Sequence, residues 1–267
     1  MKLNLPYNFP YAIIIYIRFM GVFRKFFSIY CIIVFLVFML LLFPFVIFAS
    51  FFGKVKGGNM VYKICGLWAD LAFFFWGIGH KYIYEAPKLD TAVFIFNHIS
   101  YLDAAILVKA FRKRPVRVLG KAEMAQVPIF GFIYKNAVVM VNRSSPEARY
   151  QSLQLLKQIV RKGISIIIAP EGTFNVTNKP LKEFYNGAFE VAIETQTRVQ
   201  PVLFLDAYDR MHYQSIFTLN PGKCRTVFLE PIPVNGYTLQ DVQKLKTLAF
   251  EKMETALIKY KAGWIKT

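Results

Sequence analysis

Residues 91–111 read TAVFIFNHISYLDAAILVKAF, and this stretch decides the fold. Ala92 to Phe96 is a short apolar run rich in β-branched and aromatic residues, as expected of a buried strand. Asn97 to Tyr101 is a turn, and amphipathic spacing predicts a helix over 102–112. A buried strand that runs through a turn into a helix is the repeating unit of an α/β domain. The turn also carries chemistry. His98 stands at the strand end and Asp103 five positions later. A carboxylate there can fix the imidazole tautomer and stabilise the imidazolium formed by general-base work. Taken alone, the spacing equally suits a residue ending a strand and an acid capping a helix. Of the three histidines, His80, His98 and His212, only His98 has this setting.

The same alternation continues along the chain. Strands are expected near 92–97, 116–120, 137–142, 164–169, 199–205 and 225–229. Helices are expected near 102–112, 122–134, 146–162, 183–194 and 239–261, the third introduced by Ser144-Ser145-Pro146-Glu147. The fold class is therefore α/β, a mixed sheet flanked by helices, with a domain over 83–267.

Residues 1–82 differ. Phe26 to Gly53 is a run of 28 residues without a charged side chain, and about 20 apolar residues span a bilayer core. Residues 6–23 suit an interfacial helix. Residues 61–82 form a third apolar stretch, its Trp68 and Trp76 suited to a headgroup boundary. Pro44 can kink or break the long segment. We expect a retained N-terminal membrane-embedded helical segment. Basic residues flank its apolar run on both sides, so the positive-inside rule leaves a single span and a re-entrant pair of helices both open.

Net charge is +17. A bilayer surface with anionic lipids attracts such a chain. Nucleic acid would too, but no helix-turn-helix, zinc-finger or aromatic RNA-binding signature accompanies the charge. Cys31, Cys65 and Cys224 form neither a disulfide framework nor a metal pattern. That suits a reducing, cytoplasm-facing catalytic part. No metal site is expected.

Three further segments end buried strands. Ile166 to Ala169 runs into Pro170-Glu171-Gly172-Thr173. If both strands point the same way, this turn shares a sheet edge with His98, where ligands gather in open α/β sheets. Val139-Met140-Val141-Asn142-Arg143 places an arginine past a strand, free to hold a phosphate with two parallel hydrogen bonds. Val199-Gln200-Pro201-Val202 puts a proline inside a strand, which suggests a special bend or an edge strand.

These four blocks, in order and at these separations, resemble the glycerophospholipid acyltransferase family, whose typical member is the bacterial 1-acylglycerol-3-phosphate acyltransferase. The resemblance covers roughly residues 83–232. It rests on Asn97, His98 and Asp103, on Val141-Asn142-Arg143 with Asn142 in a usually acidic position, on Pro170 to Thr173, and on Val199 to Val202. Lys121 and Gly187-Ala188-Phe189 also fit the usual surroundings.

The resemblance implies acyl transfer from a thioester, acyl-CoA or acyl carrier protein, to the free hydroxyl of lysophosphatidate, giving phosphatidate. His98 would be the base and Asp103 its orienting partner. Asn97, Lys121, Arg143, Glu171, Gly172 and Thr173 would serve substrate binding. No cofactor is implied. The implied partners are the lysophospholipid, the acyl donor and membrane lipids, and the implied location is the cell (inner) membrane with the catalytic domain facing the cytoplasm. One position departs from the pattern. The family usually has arginine directly after Glu-Gly-Thr, thought to help bind the acceptor phosphate, and this chain has Phe174. Two expectations stay open: Lys179 or Lys182 substitutes for it, or the acceptor is a different lysolipid, such as a lyso-aminolipid.

Overall fold

The computed structural model describes residues 9–87, 91–114, 116–141 and 145–265. Its strands are β1 (Ile78–Tyr84), β2 (Val93–Phe96), β3 (Val116–Lys121), β4 (Val138–Val141), β5 (Ser165–Ile168), β6 (Val199–Phe204) and β7 (Gly222–Phe228). Its helices are α1 (Phe9–Ser50), α2 (Gly58–Phe75), α3 (Asp103–Phe111), α4 (Phe130–Ala137), α5 (Pro146–Arg161), α6 (Gly187–Glu194), α7 (Ala207–Arg210) and α8 (Val242–Lys259).

One seven-stranded sheet has the order β1-β7-β6-β2-β5-β3-β4. β2 runs parallel to β5 and β6, and β3 runs parallel to β4 and β5. β7 lies antiparallel to β6, and β1 parallel to β7, so the sheet is mixed. Every residue of β2, β5 and β6 is buried, which is why these strands read as unbroken apolar runs. α2 and α3 pack together against the sheet, while α5, α6 and α8 form a second packed group. Phe94 and Phe111 meet edge to face at 4.7 Å in the core beneath α3.

All six expected strands form. β1 was not expected. Residues 61–82 read as one apolar stretch, but α2 stops at Phe75. Gly77 then takes a left-handed turn (φ +63°), which glycine adopts without a Cβ penalty. Ile78–Tyr84 pairs with Gly222–Phe228, far along the chain. The sheet therefore starts ahead of residue 83, where the catalytic domain was expected to begin.

The N-terminal segment also differs from expectation. The interfacial helix and the long apolar segment are one helix, α1, running through Pro44. Proline costs that helix one backbone bond but not its continuation. α1 and α2 pack as an antiparallel pair: Trp76 Nε1 donates to the Cys31 carbonyl at 3.0 Å and Trp68 Nε1 to that of Phe35 at 3.1 Å. Where the pair closes, Gly57 lies so near the Ala49 carbonyl that no Cβ would fit.

The helix expected over 122–134 is split. Ala122–Gln126 is a short 3-10 turn and α4 begins at Phe130. Pro128 explains the break, because the residue before a proline is driven out of the helical region, and Val127 is extended (φ −67°, ψ 126°). The start of α5 follows its sequence signal: Ser145 Oγ accepts from Ala148 N–H at 3.1 Å, with Pro146 in the first turn.

Candidate active site

Parallel pairing brings the carboxyl ends of β2, β5, β3 and β4 to one edge of the sheet. His98 follows β2, Pro170 to Thr173 follow β5, and Lys121 ends β3. Because β5 lies between β2 and β3, the Pro-Glu-Gly-Thr turn sits beside the histidine turn.

His98 Nδ1 lies 2.8 Å from Asp103 Oδ2. The same oxygen accepts from the backbone N–H groups of Ile99 (2.8 Å) and Ser100 (2.9 Å). Asp103 is the first residue of α3, where the helix dipole favours a negative charge. It is 1% exposed, while the imidazole is 29% exposed. The bond to a carboxylate assigns the neutral ring's proton to Nδ1 and leaves Nε2 as the acceptor nitrogen.

Glu171 is buried, and both its oxygens are engaged. Oε1 accepts from His98 N–H at 2.9 Å and Oε2 from Lys182 N–H at 2.9 Å. Burial pushes its carboxyl up to about 7, against the pull of those two amides. Glu171 therefore joins three backbone segments rather than facing an open pocket. Gly172 takes φ +72°, a conformation that L side chains rarely adopt. Thr173 is exposed, and its Oγ1 accepts from Lys182 Nζ at 2.7 Å.

Asn97 is also buried and fully used. Its Nδ2 donates to the Phe204 carbonyl at 3.1 Å and its Oδ1 accepts from Phe204 N–H at 2.8 Å. The side chain thus extends the β2–β6 pairing by one amide. Lys121 is exposed at the end of β3, opposite Val141 in the register. Arg143, with Asn142, lies outside the described residues.

Several neighbours of the site carry little sequence signal. The Phe174 ring packs 4.4 Å from the His98 ring and 4.9 Å from Tyr101, and Phe96 stands 5.7 Å from the imidazole. Asn175 N–H donates to the His98 carbonyl at 2.7 Å, and the Asn175 side chain holds the 177–180 loop. Its position two residues before a threonine in a polar loop is the one hint available. Ser100 is buried, and its hydroxyl donates to the Met211 carbonyl at 2.5 Å. A cleft of about 630 Å³, lined in part by Lys179, Lys182, Phe184, Lys246 and Phe250, separates the 177–184 loop from α8 and does not include His98.

The family model described as Acyltransferase matches residues 80–205. Over this stretch the chain is similar to acyltransferase domains.

The domain is similar to 1-acyl-sn-glycerol-3-phosphate acyltransferases. The chloroplastic LPAT1 of Arabidopsis thaliana is 30% identical over 172 residues, 63% of this chain and 48% of that protein. The Haemophilus influenzae enzyme is 26% identical over 179 residues, 66% of this chain and 72% of that one. The chain thus spans about half the length of the Arabidopsis relative. The crystal structure of the 1-acyl-sn-glycerophosphate (LPA) acyltransferase PlsC from Thermotoga maritima superposes with a TM-score of 0.70. It covers 91% of this chain and 100% of that one at 21% identity, a likeness of fold.

Proposed function

We propose that the acyltransferase domain moves a fatty acyl group from a thioester, acyl-CoA or acyl carrier protein, to the free hydroxyl of lysophosphatidate, giving phosphatidate. The observation that carries this reading is the His98–Asp103 pair at 2.8 Å, its carboxylate held by two backbone amides. His98 Nε2 takes the hydroxyl proton as the oxygen attacks the thioester carbon. The C–S bond breaks, and the leaving sulfur recovers the proton from the imidazolium. Asp103 orients the ring and stabilises its charged form. The buried Ser100 hydroxyl is occupied by Met211, which supports direct transfer over a seryl intermediate. Glu171 and Asn97 act as positioning residues in this scheme, setting the His98 turn and the β2 end. Lys182 (held by Thr173), Lys121 and Arg143 are the cations proposed for the acceptor phosphate.

Phe174 favours a second reading. It offers an apolar face against His98 where the family resemblance implies an arginine, which suits a lysolipid with a different head group, such as a lyso-aminolipid.

The experiment is acyl transfer by detergent-purified protein from a labelled acyl thioester to a panel of lysolipids. Turnover of lysophosphatidate, reduced roughly 10²–10⁴-fold in His98→Ala, is the expected result. Turnover restricted to another lysolipid would rename the acceptor. No transfer to any lysolipid, or transfer indifferent to His98→Ala, would overturn the reading.

Membrane association follows from the outward face of α1, where Phe26, Ile33, Leu40, Phe45 and Phe48 are exposed. Gly21–Ser50 is long and apolar enough to cross a bilayer, yet both its ends rest on one domain. Arg24 donates to the Thr218 carbonyl near one end, and Phe43 packs on Phe132 of α4 near the other. A helix held along its length by an α/β domain fits one leaflet better than a span. We place that leaflet on the cytoplasmic side of the cell (inner) membrane.

A further inference from the structure

We propose that the loop over residues 211–219 is a second bilayer-inserting element, with Ile216 and Phe217 entering the same leaflet as α1. Both side chains are 45% exposed at the loop tip. They continue the apolar face of α1, because this loop is where the helix docks. Arg24 donates to the Thr218 carbonyl through Nε (3.2 Å) and Nη2 (3.1 Å), and Ser28 Oγ accepts from Leu219 N–H at 3.1 Å. Val22, Phe23, Phe26 and Ile29 are exposed on the adjoining turns of α1.

The loop is built to leave water. Its polar groups bond to one another: Thr218 Oγ1 accepts from His212 N–H at 2.9 Å and donates to the Ser215 carbonyl at 2.6 Å, and Ser215 Oγ accepts from Phe217 N–H at 3.1 Å. Burying such a tip in an apolar medium strands few backbone groups. Half-buried Tyr213 packs against His212, ring centroids 4.4 Å apart and tilted by 31°, where an amphipathic ring suits a headgroup boundary. Exposed Lys25, beside Arg24, adds attraction to anionic headgroups.

The loop also reaches the chemistry. Met211, at its start, takes the Ser100 hydroxyl within the His98–Asp103 turn. Depth of insertion at 216–217 would therefore set the height of the catalytic turn above the acyl chains. A bilayer is the occupant that α1 already implies; a second copy of the chain is the competing one.

The test uses the full-length protein on vesicles of phosphatidylcholine and phosphatidylglycerol. An environment-sensitive fluorophore is attached at Phe217→Cys, with Phe23→Cys on α1 and the exposed Leu239→Cys, in the 3-10 turn just ahead of α8, as references. The three native cysteines are buried. Circular dichroism checks that each variant folds. Expected is loss of fluorescence at 217 with spin-labelled lipid, comparable to the loss at 23, and none at 239. Quenching at 217 by aqueous iodide alone, while 23 responds to lipid, would overturn the proposal. So would a probe at 217 shielded from both quenchers until the protein is diluted, which would identify a second copy as the occupant. None of these readouts depends on acyl transfer, so they stand apart from the proposed activity.

Discussion

Asn97 and Glu171 sit beside the reacting groups, yet every polar atom of their side chains is bonded to backbone. Replacing Asn97 with alanine strands the N–H and carbonyl of Phe204 in a buried place, at about 1–3 kcal/mol for each orphaned group. We expect Asn97→Ala to lower the urea midpoint with little change in slope. An unchanged midpoint would mean that the two hydrogen bonds contribute nothing. Glu171 gives a pH signature. Its folded pKa, about 7, lies above the ordinary value of 4.5 because burial disfavours the carboxylate. Between those values the folded chain binds more protons than the unfolded one, so stability is highest at low pH and falls as pH rises towards 7. The full change is on the order of 3 kcal/mol. Unfolding free energies across this window should show the fall in the parent protein and lack it in Glu171→Gln. A slope that survives the substitution belongs to another group.

At the scale of the element, β6 resolves a conflict its own sequence creates. Paired residues in an antiparallel ladder exchange two hydrogen bonds, and Pro201 has no N–H to give. Its carbonyl accepts from Leu229 N–H at 3.0 Å. The missing return bond is supplied by the preceding side chain, with Gln200 Nε2 donating to the Leu229 carbonyl at 2.9 Å. That is how a proline occupies a fully buried central strand instead of an edge. Gln200→Ala should therefore destabilise by about 1–3 kcal/mol. Adding Pro201→Ala restores a backbone donor at the same place and should recover part of the loss. Equal stability of the single and double variants in a urea titration would refute the compensation. The strand itself was legible from its apolar run, whereas the partner of Gln200 was not, because Leu229 arrives from the other side of the β6–β7 connection.

At the scale of the molecule, the question is how a helix long enough to span comes to lie along a domain. The thirty residues Gly21–Ser50 of α1 extend about 45 Å, more than a bilayer core, and this segment meets the 216–218 turn near one end and α4 near the other. A probe at Val37→Cys, mid-helix on the exposed face, reports the difference. If α1 lies in one leaflet, lipids labelled near the headgroup should quench residue 37 as strongly as residue 23. Stronger quenching at 37 by lipids labelled near the chain ends would show that the helix crosses. The charge of +17 speeds arrival at an anionic surface, and salt should slow that arrival through screening.

Local patterning made legible the six strands, most of the helices between them and the residues at the strand ends, but not the break at Pro128. Burial on both faces and helical amphipathicity are local patterns, and His98 with Asp103 lies within one turn of chain. It also determined the apolar segment, since 28 uncharged residues need no partner to be recognised. The tertiary structure decided the rest. It inserted β5 between β2 and β3, which brings Glu171 to the His98 amide from 73 residues away. It recruited Ile78–Tyr84 into the sheet, laid α1 along the domain and set Phe174 against the imidazole. Each depends on strand pairing or side-chain packing between distant segments, and local periodicity carries no record of which segments those are.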